Sequence, residues 1–229
     1  MKKYIVLLVA FFSISLFAQQ ADPKATAAQP DSKAQTPAAA PHKTYRQLDA
    51  EIKDGVYKNN YFGFSYAIPE GWDSHDEETK KRLIEMGQDQ LKDPKLKNQQ
   101  TGPEQGFFFL LMTTPKDGML PQVTLMAQDV VLIPQIKTGA DFISLLNLEF
   151  KQQPGYSVLK ETAKFPIGDQ EFYRSDFKNG PVFQSAIFTI MRRHAVGFIV
   201  SAGTDEDIQT VIHTVQKLKF EPVKDAVTQ

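Results

Sequence analysis

The chain has 229 residues, of which 41% are hydrophobic and 23% are charged, a composition typical of soluble globular proteins. Its 26 Lys and Arg residues and 27 Asp and Glu residues give a formal charge of -1. This balance argues against a nucleic-acid-binding domain, because such domains carry a basic excess. The chain has no cysteine, which excludes disulfides, thiol catalysis, Cys-ligated zinc and iron–sulfur clusters.

The first 18 residues have the layout of a secretory signal peptide. Lys2 and Lys3 precede an uncharged, mostly apolar run over residues 4–17, and small residues lie near Ala18. The run is shorter than the roughly 20 apolar residues that span a bilayer. We therefore expect cleavage after Ala18 and a periplasmic or extracellular protein without a stable membrane span. The alternative is a signal that is retained as an anchor.

An Ala- and Pro-rich segment follows the predicted signal peptide. Over residues 21–41, 8 of 21 residues are Ala and 4 are Pro. The prolines interrupt any helix, and the segment has almost nothing to bury that would compensate for ordering its backbone. The composition predicts a disordered tether over residues 19–43, a single domain over residues 44–221 and a flexible tail over residues 222–229.

The first part of the domain begins with a predicted short polar helix over residues 45–53. Alternating apolar residues then predict a half-buried strand over residues 60–68, with Phe62, Phe64 and Tyr66 on one face. A Pro-Glu-Gly turn leads to Trp72, the only tryptophan. Ser74 and Glu77 have the spacing of a capping box, which predicts a helix over residues 74–92 and a surface loop up to residue 106.

The rest of the domain is rich in strands. Apolar runs predict a central strand over residues 106–114 and another over residues 123–133. Thr138 is positioned to cap a helix whose apolar residues recur at helical spacing up to Phe150. Short turn-like connections predict antiparallel strands over residues 156–165, 170–177, 182–191 and 195–202. Thr204 and an acidic first turn then begin a final amphipathic helix.

The predicted element order is β-α-β-β-α-β-β-β-β-α. Strands that are joined by hairpins are antiparallel, and a helix with one apolar stripe covers a sheet face. The sequence therefore predicts the α+β class, with an antiparallel sheet of six to seven strands that is flanked by helices.

Two parts of the sequence resemble PsbP-like proteins. The segment GVYKNNYFGFSYAIPEGW, from Gly55 to Trp72, resembles the opening strands of that family. The strand hairpins and the capped helix that ends at Leu218-Lys219-Phe220 resemble its C-terminal part. The resemblance covers nearly all of residues 55–221 and implies an α-β-α sandwich without conserved catalytic machinery. The family includes the photosystem II extrinsic subunit and a Ran-binding nuclear import factor, and its members are accessory proteins that bind other proteins.

Catalytic and metal-binding motifs are absent from the sequence. It contains no Gly-x-Ser-x-Gly elbow, His-Glu-x-x-His pair, Walker-type loop or dinucleotide fingerprint. A hydrolase would need His75 or His194 to meet a serine and an acid in space. Residues 75–78 offer metal ligands, but successive helical residues point in different directions, and acidic residues suit a helix start. We therefore predict no enzyme activity, no cofactor and no metal.

Four residues are candidates for partner binding. Arg192, Arg193 and His194 lie at a predicted exposed hairpin tip, where guanidinium groups would bind carboxylates or phosphates; a solvated turn without function has the same composition. For Trp72, which follows a Pro-Glu-Gly turn, we favour a core residue over the alternative of a binding anchor. The leading hypothesis is an exported, non-enzymatic accessory module that binds a protein partner in the cell envelope. The alternative is a small-ligand or lipid-binding protein with a pocket between sheet and helices.

Overall fold

The computed structural model describes residues 45–82, 102–151 and 155–221. The predicted signal peptide, the tether, the C-terminal tail and most of the predicted helix over residues 74–92 lie outside these ranges. The boundaries proposed for those segments remain predictions.

A seven-stranded antiparallel sheet forms the centre of the fold. Its strands are β4 (Trp72–Ser74), β5 (Phe107–Pro115), β6 (Gln122–Asp129), β7 (Tyr156–Ile167), β8 (Gln170–Asn179), β9 (Val182–Met191) and β10 (His194–Ala202). They are arranged in the order β4-β5-β6-β10-β9-β8-β7. The predicted α+β class and the antiparallel arrangement are confirmed.

A second, four-stranded sheet was not predicted. It consists of β1 (Ala50–Lys53), β2 (Val56–Asn59), β3 (Phe64–Ala67) and β11 (Lys219–Phe220), in the order β1-β2-β3-β11. The helix predicted over residues 45–53 is wrong, since only a short 3-10 turn over Arg46–Leu48 precedes β1. Asp54 and Gly55, both with positive φ, form a two-residue turn that pairs β1 with β2 instead.

The strand predicted over residues 60–68 is half turn and half strand. The side chain of Asn59 accepts a hydrogen bond from the backbone N–H of Phe62 at 2.8 Å, and Gly63 has a φ of 70°. Residues 60–63 therefore reverse the chain between β2 and β3. Phe62 is nevertheless buried, so the alternation of apolar residues continues through the turn. For this reason the sequence pattern of residues 60–63 is that of a strand.

The described residues include three helices that start at caps, and two of these caps were predicted. The first, α1, begins at residue 77 and is described as far as residue 82. Its cap is Asp76, whose Oδ1 accepts the Thr79 N–H at 2.7 Å; Ser74, the predicted cap, belongs to β4. Helices α2 (Gly139–Phe150) and α3 (Asp205–Val215) begin at Thr138 and Thr204, as the sequence predicted.

The core lies on both faces of the seven-stranded sheet. Alternate residues of β5 point to opposite sides: Phe107 and Phe109 pack with α2, whereas Phe108 packs with α3 and the four-stranded sheet. The layers are therefore α2, the large sheet, and a third layer that α3 shares with the small sheet. The strand predicted over residues 123–133 ends earlier, at Asp129, because residues 130–137 form turns.

Candidate functional site

The predicted site residues lie at opposite ends of the large sheet. Trp72 pairs with Pro115 at the C-terminal end of β5. Arg192 and Arg193 connect β9 to β10 at the other end, where His194 pairs with Asp129 of β6. Strands of this length span roughly 25 Å. The four residues therefore do not form one site.

Arg192 and Arg193 occupy both positions of a two-residue β-turn. The flanking residues Met191 and His194 are paired, and the two arginines have φ values of 48° and 63°. A hairpin turn with two positive φ values favours Asn-Gly or Asp-Gly, which is what Asp54 and Gly55 supply between β1 and β2. Because the left-handed conformation costs about 1 kcal/mol for a residue with a Cβ, this turn is strained.

His194 is buried, contrary to the prediction of an exposed residue. Only 4% of it is exposed, and its ring packs against the rings of Tyr61, Phe62 and Phe108, with centroid distances of 6.0, 5.5 and 5.8 Å. It is the first residue of β10, and its side chain lies on the sheet face that the small sheet covers. The small sheet was not predicted, and the cover that it provides for His194 was missed with it.

The hydrogen bonds of His194 tie the arginine turn to the 3-10 turn before β1. Its Nδ1 is 2.8 Å from the carbonyl oxygen of Arg192, and a carbonyl only accepts, so Nδ1 is the donor. In the neutral ring, Nε2 then accepts from the side-chain amide of Gln47 at 3.2 Å. His194 is therefore a residue that holds the turn in place and is not open to a partner.

Two further contacts fix the arginine turn. The guanidinium Cζ of Arg192 lies 5.1 Å from the ring centroid of Tyr61, within the range of a cation–π interaction. The carbonyl oxygen of Arg193 accepts the backbone N–H of Val130 at 3.0 Å. Both arginines are exposed. The turn thus presents two cationic side chains from a backbone that is held on both sides.

Exposed apolar residues follow Val130, whose backbone is bonded to the arginine turn. Val131 and Leu132, which directly follow Val130, are 39% and 70% exposed. We name the surface of Tyr61, Val131, Leu132, Arg192 and Arg193 the arginine end. Tyr61, Val131 and Leu132 were missed as site residues, because residues 131 and 132 fell within a predicted strand. Asp129, a residue type that is depleted in strands, was the available sign that the strand ends before this point.

Trp72 supports the opposite edge of the sheet. It is half-buried and packs against the core cluster that includes the small sheet. Its backbone N–H donates to the carbonyl oxygen of Pro69 at 3.1 Å, which closes the turn before β4. The prediction that Trp72 is a core residue is therefore met only in part.

The described histidines have structural hydrogen-bond partners. Nε2 of His75 lies 3.1 Å from the hydroxyl of Thr114, which is buried, and burial lowers the pKa of His75. His213 contacts Gln216 on the last turn of α3. Glu77 forms an ion pair with Lys80. Within the described residues, no group of three His, Asp or Glu side chains is arranged to hold a metal ion.

A buried charge cluster lies between the large sheet and α3. The carboxylate of Asp176, which is 2% exposed, accepts hydrogen bonds from Arg174 at 2.7 and 2.8 Å and from the hydroxyl of Ser185 at 2.7 Å. Lys160 pairs with it at 3.1 Å, and Arg174 also donates to Gln209 of α3 at 3.0 Å. These contacts join β7, β8, β9 and α3, so the cluster connects the large sheet to this helix.

Comparisons with known proteins show that the chain is similar to two solved structures in fold. No protein-family model matches the chain, and no curated protein matches its sequence. PsbP from the cyanobacterium Synechocystis is similar in structure, with a TM-score of 0.46 and 12% identity over 76% of this chain and 93% of that chain. A protein of unknown function from Pseudomonas aeruginosa has a TM-score of 0.34 and 14% identity over 49% of this chain and 92% of its own.

The first of these proteins is a PsbP, and residues 55–221 resemble PsbP-like proteins in sequence. The similarity concerns the course of the chain alone. No helix among the described residues is both long and apolar enough to cross a membrane.

Proposed function

We propose that this protein is a non-enzymatic accessory module that is exported and binds a protein partner in the cell envelope through the arginine end. The observation that carries the proposal is the pair of exposed arginines in left-handed conformations. Because Asn-Gly would form this turn at lower energy, the arginines reduce stability where they stand. Strain of this kind is found at functional sites.

The rigidity of the turn supports the same proposal. His194 and Val130 hold its backbone, and Tyr61 lies against the guanidinium of Arg192. A guanidinium group presents a planar fork of N–H donors that matches a carboxylate. When the fork is already oriented, less conformational entropy is lost on binding. The proposed contact is therefore an acidic surface of a protein, and the proposed location rests on the sequence of the first 18 residues.

Cross-linking in the source cells tests the proposal. A tagged full chain is expressed there, and the envelope fraction is cross-linked and captured. We compare the wild type with Arg192→Gln/Arg193→Gln and with the control Lys53→Gln/Lys116→Gln, which removes two exposed positive charges away from the arginine end. The wild type and the control are expected to capture the same partner, and the arginine variant is expected to lose it.

Two results would contradict the proposal. One is capture of the same partner by the arginine variant at an unchanged yield. The other is a wild-type capture that contains only the background proteins of an untagged strain at every salt concentration tried. Thermal melts of the three purified proteins establish that each variant is folded.

A further inference from the structure

The loop that carries Val131 and Leu132 is fixed, with Leu132 pointing outward. Val130 and Ile133 on either side are buried, and the Ile133 N–H donates to the carbonyl oxygen of Val130 at 2.9 Å. The N–H of Val131 donates to the carboxylate of Asp129 at 2.8 Å. At 70%, Leu132 is the most exposed large hydrophobic residue in the described ranges. Leu132 is therefore exposed because Val130 and Ile133 are buried on either side of it, and not because the loop is mobile.

The same loop is bonded to the arginine turn. The Val130 N–H donates to the Arg193 carbonyl oxygen at 3.0 Å, so Val131 and Leu132 follow directly on the residue that is bonded to the arginine turn. An exposed ion pair contributes little by itself, because water and salt screen it. An apolar contact beside the pair would exclude water from it and add its own burial. The arrangement favours a ligand that combines negative charge with a large apolar side chain.

We infer that the partner presents an acidic segment in which a large apolar side chain lies next to its carboxylates. The carboxylates pair with Arg192 and Arg193, and the apolar side chain packs on Val131 and Leu132. This inference rests on the proposed function, since it names the chemistry of the partner at the same surface.

A protein segment fits this surface better than an anionic membrane does. Membrane-binding basic clusters contain about four to eight Lys or Arg residues, whereas the arginine end supplies Arg192 and Arg193, with the carboxylate of Asp129 nearby. The formal charge of the whole chain is -1, so no general attraction to anionic lipid adds to them. The stacking of Arg192 on Tyr61 fixes the orientation of the fork, which favours a directional carboxylate pair over mobile headgroups.

Peptide selection tests the inference. A phage library of random linear peptides is selected against the purified full chain, and an enriched peptide is synthesised with a fluorescent label. Its affinity for the wild type, Leu132→Ser, Arg192→Gln/Arg193→Gln and Leu148→Ser is measured by anisotropy. Leu148 lies on α2 and is 60% exposed, so Leu148→Ser is the matched control for loss of an exposed leucine.

The enriched peptides are expected to contain Asp or Glu together with a large apolar residue. Leu132→Ser and the arginine variant should each weaken binding by about tenfold, and Leu148→Ser should not. If Leu132→Ser binds as tightly as the wild type while the arginine variant does not, the inference fails and the proposed function stands. If the arginine variant also binds as the wild type does, both fail.

The remaining outcomes also decide the inference. If the selection enriches no peptide relative to an unrelated bait protein, the inference is overturned. Binding to phosphatidylglycerol vesicles that depends on Leu132 and the arginines, without peptide enrichment, would overturn it in favour of a lipid surface.

Discussion

The guanidinium of Arg192 lies over the ring of Tyr61, with its Cζ 5.1 Å from the ring centroid. Arg192 belongs to the β9–β10 turn of the large sheet and Tyr61 to the β2–β3 turn of the small sheet, so the contact joins the two sheets. A cation–π interaction at an exposed site stabilises by about 0.5–1 kcal/mol. The left-handed conformations of Arg192 and Arg193 together cost more than that, so stability alone would not select this turn.

Replacing the two arginines with the favoured turn pair should stabilise the protein. For Arg192→Asn/Arg193→Gly we expect the free energy of unfolding to rise by about 1 kcal/mol, because both residues tolerate a positive φ. Capture of the partner should be lost at the same time. Urea denaturation measures the stability of the variant against the wild type.

The β1–β2 turn provides the reverse control for this exchange. Asp54→Arg/Gly55→Arg should lower the free energy of unfolding by a similar amount. A Cβ at Gly55 would meet nothing within 4 Å, so the expected loss comes from the backbone conformation alone. If the arginine exchange left stability unchanged or lowered it, the strain assigned to the β9–β10 turn would be wrong.

Removing the ring of His194 should destabilise the fold strongly. His194→Ala leaves a space among Tyr61, Phe62 and Phe108 and removes the bonds to Gln47 and Arg192. We expect a loss of roughly 2–4 kcal/mol in chemical denaturation.

The matched control is His213→Ala. His213 is exposed on α3, so its replacement should change stability by no more than about 0.5 kcal/mol. Equal, small effects for the two histidines would mean that His194 is exposed, as its place at a hairpin tip had suggested.

The strands that local turns connect were predictable from the sequence. The predicted strand over residues 182–191 has the bounds of β9, and β8 and β10 differ from their predictions by a few residues at most. Each of these strands pairs with its neighbour in the chain, so its pattern and its turns carry the information. The exposure of Arg192 and Arg193 followed from the same local signs.

The pairing of β11 with the small sheet and the burial of His194 were not predictable in this way. β3 pairs with β11 through only two residue pairs, Lys219 with Ser65 and Phe220 with Phe64, and these strands are far apart in the chain. His194 is buried because Gln47, Tyr61 and Phe62 reach it from that region. A residue at a hairpin tip carries no local sign of a cover that comes from a distant segment.

Loss of the Asp176 charge should destabilise the cluster below α3. Asp176→Asn would leave the half-buried Arg174 without its paired negative charge, and we expect a loss of roughly 3 kcal/mol. Lys160→Gln is the control: Lys160 is 57% exposed, so its loss should cost less than about 1 kcal/mol. Denaturation curves of the two variants that coincide would contradict the role of Asp176 as the centre of the cluster.

Trp72→Ala should have an intermediate effect, since Trp72 is half-buried at an edge strand. We expect a loss of about 1–3 kcal/mol, compared with roughly 3–5 kcal/mol for Phe198→Ala in the middle of the core. Thermal melts of both variants measure the difference. An unchanged melt for Trp72→Ala would make this residue a candidate binding anchor at the second end of the sheet.

His75 should make stability depend on pH in a defined direction. Burial lowers its pKa in the folded protein below the ordinary value of 6.5, so the unfolded chain takes up a proton at a higher pH than the folded chain does. Linkage then requires the free energy of unfolding to decrease as the pH falls through 6.5 towards the folded pKa, and this contribution is fully present above 6.5. In His75→Gln, urea denaturation between about pH 7.5 and pH 5 should show a shallower decrease than in the wild type. An identical decrease in the two proteins would show that His75 titrates alike in the folded and unfolded chains.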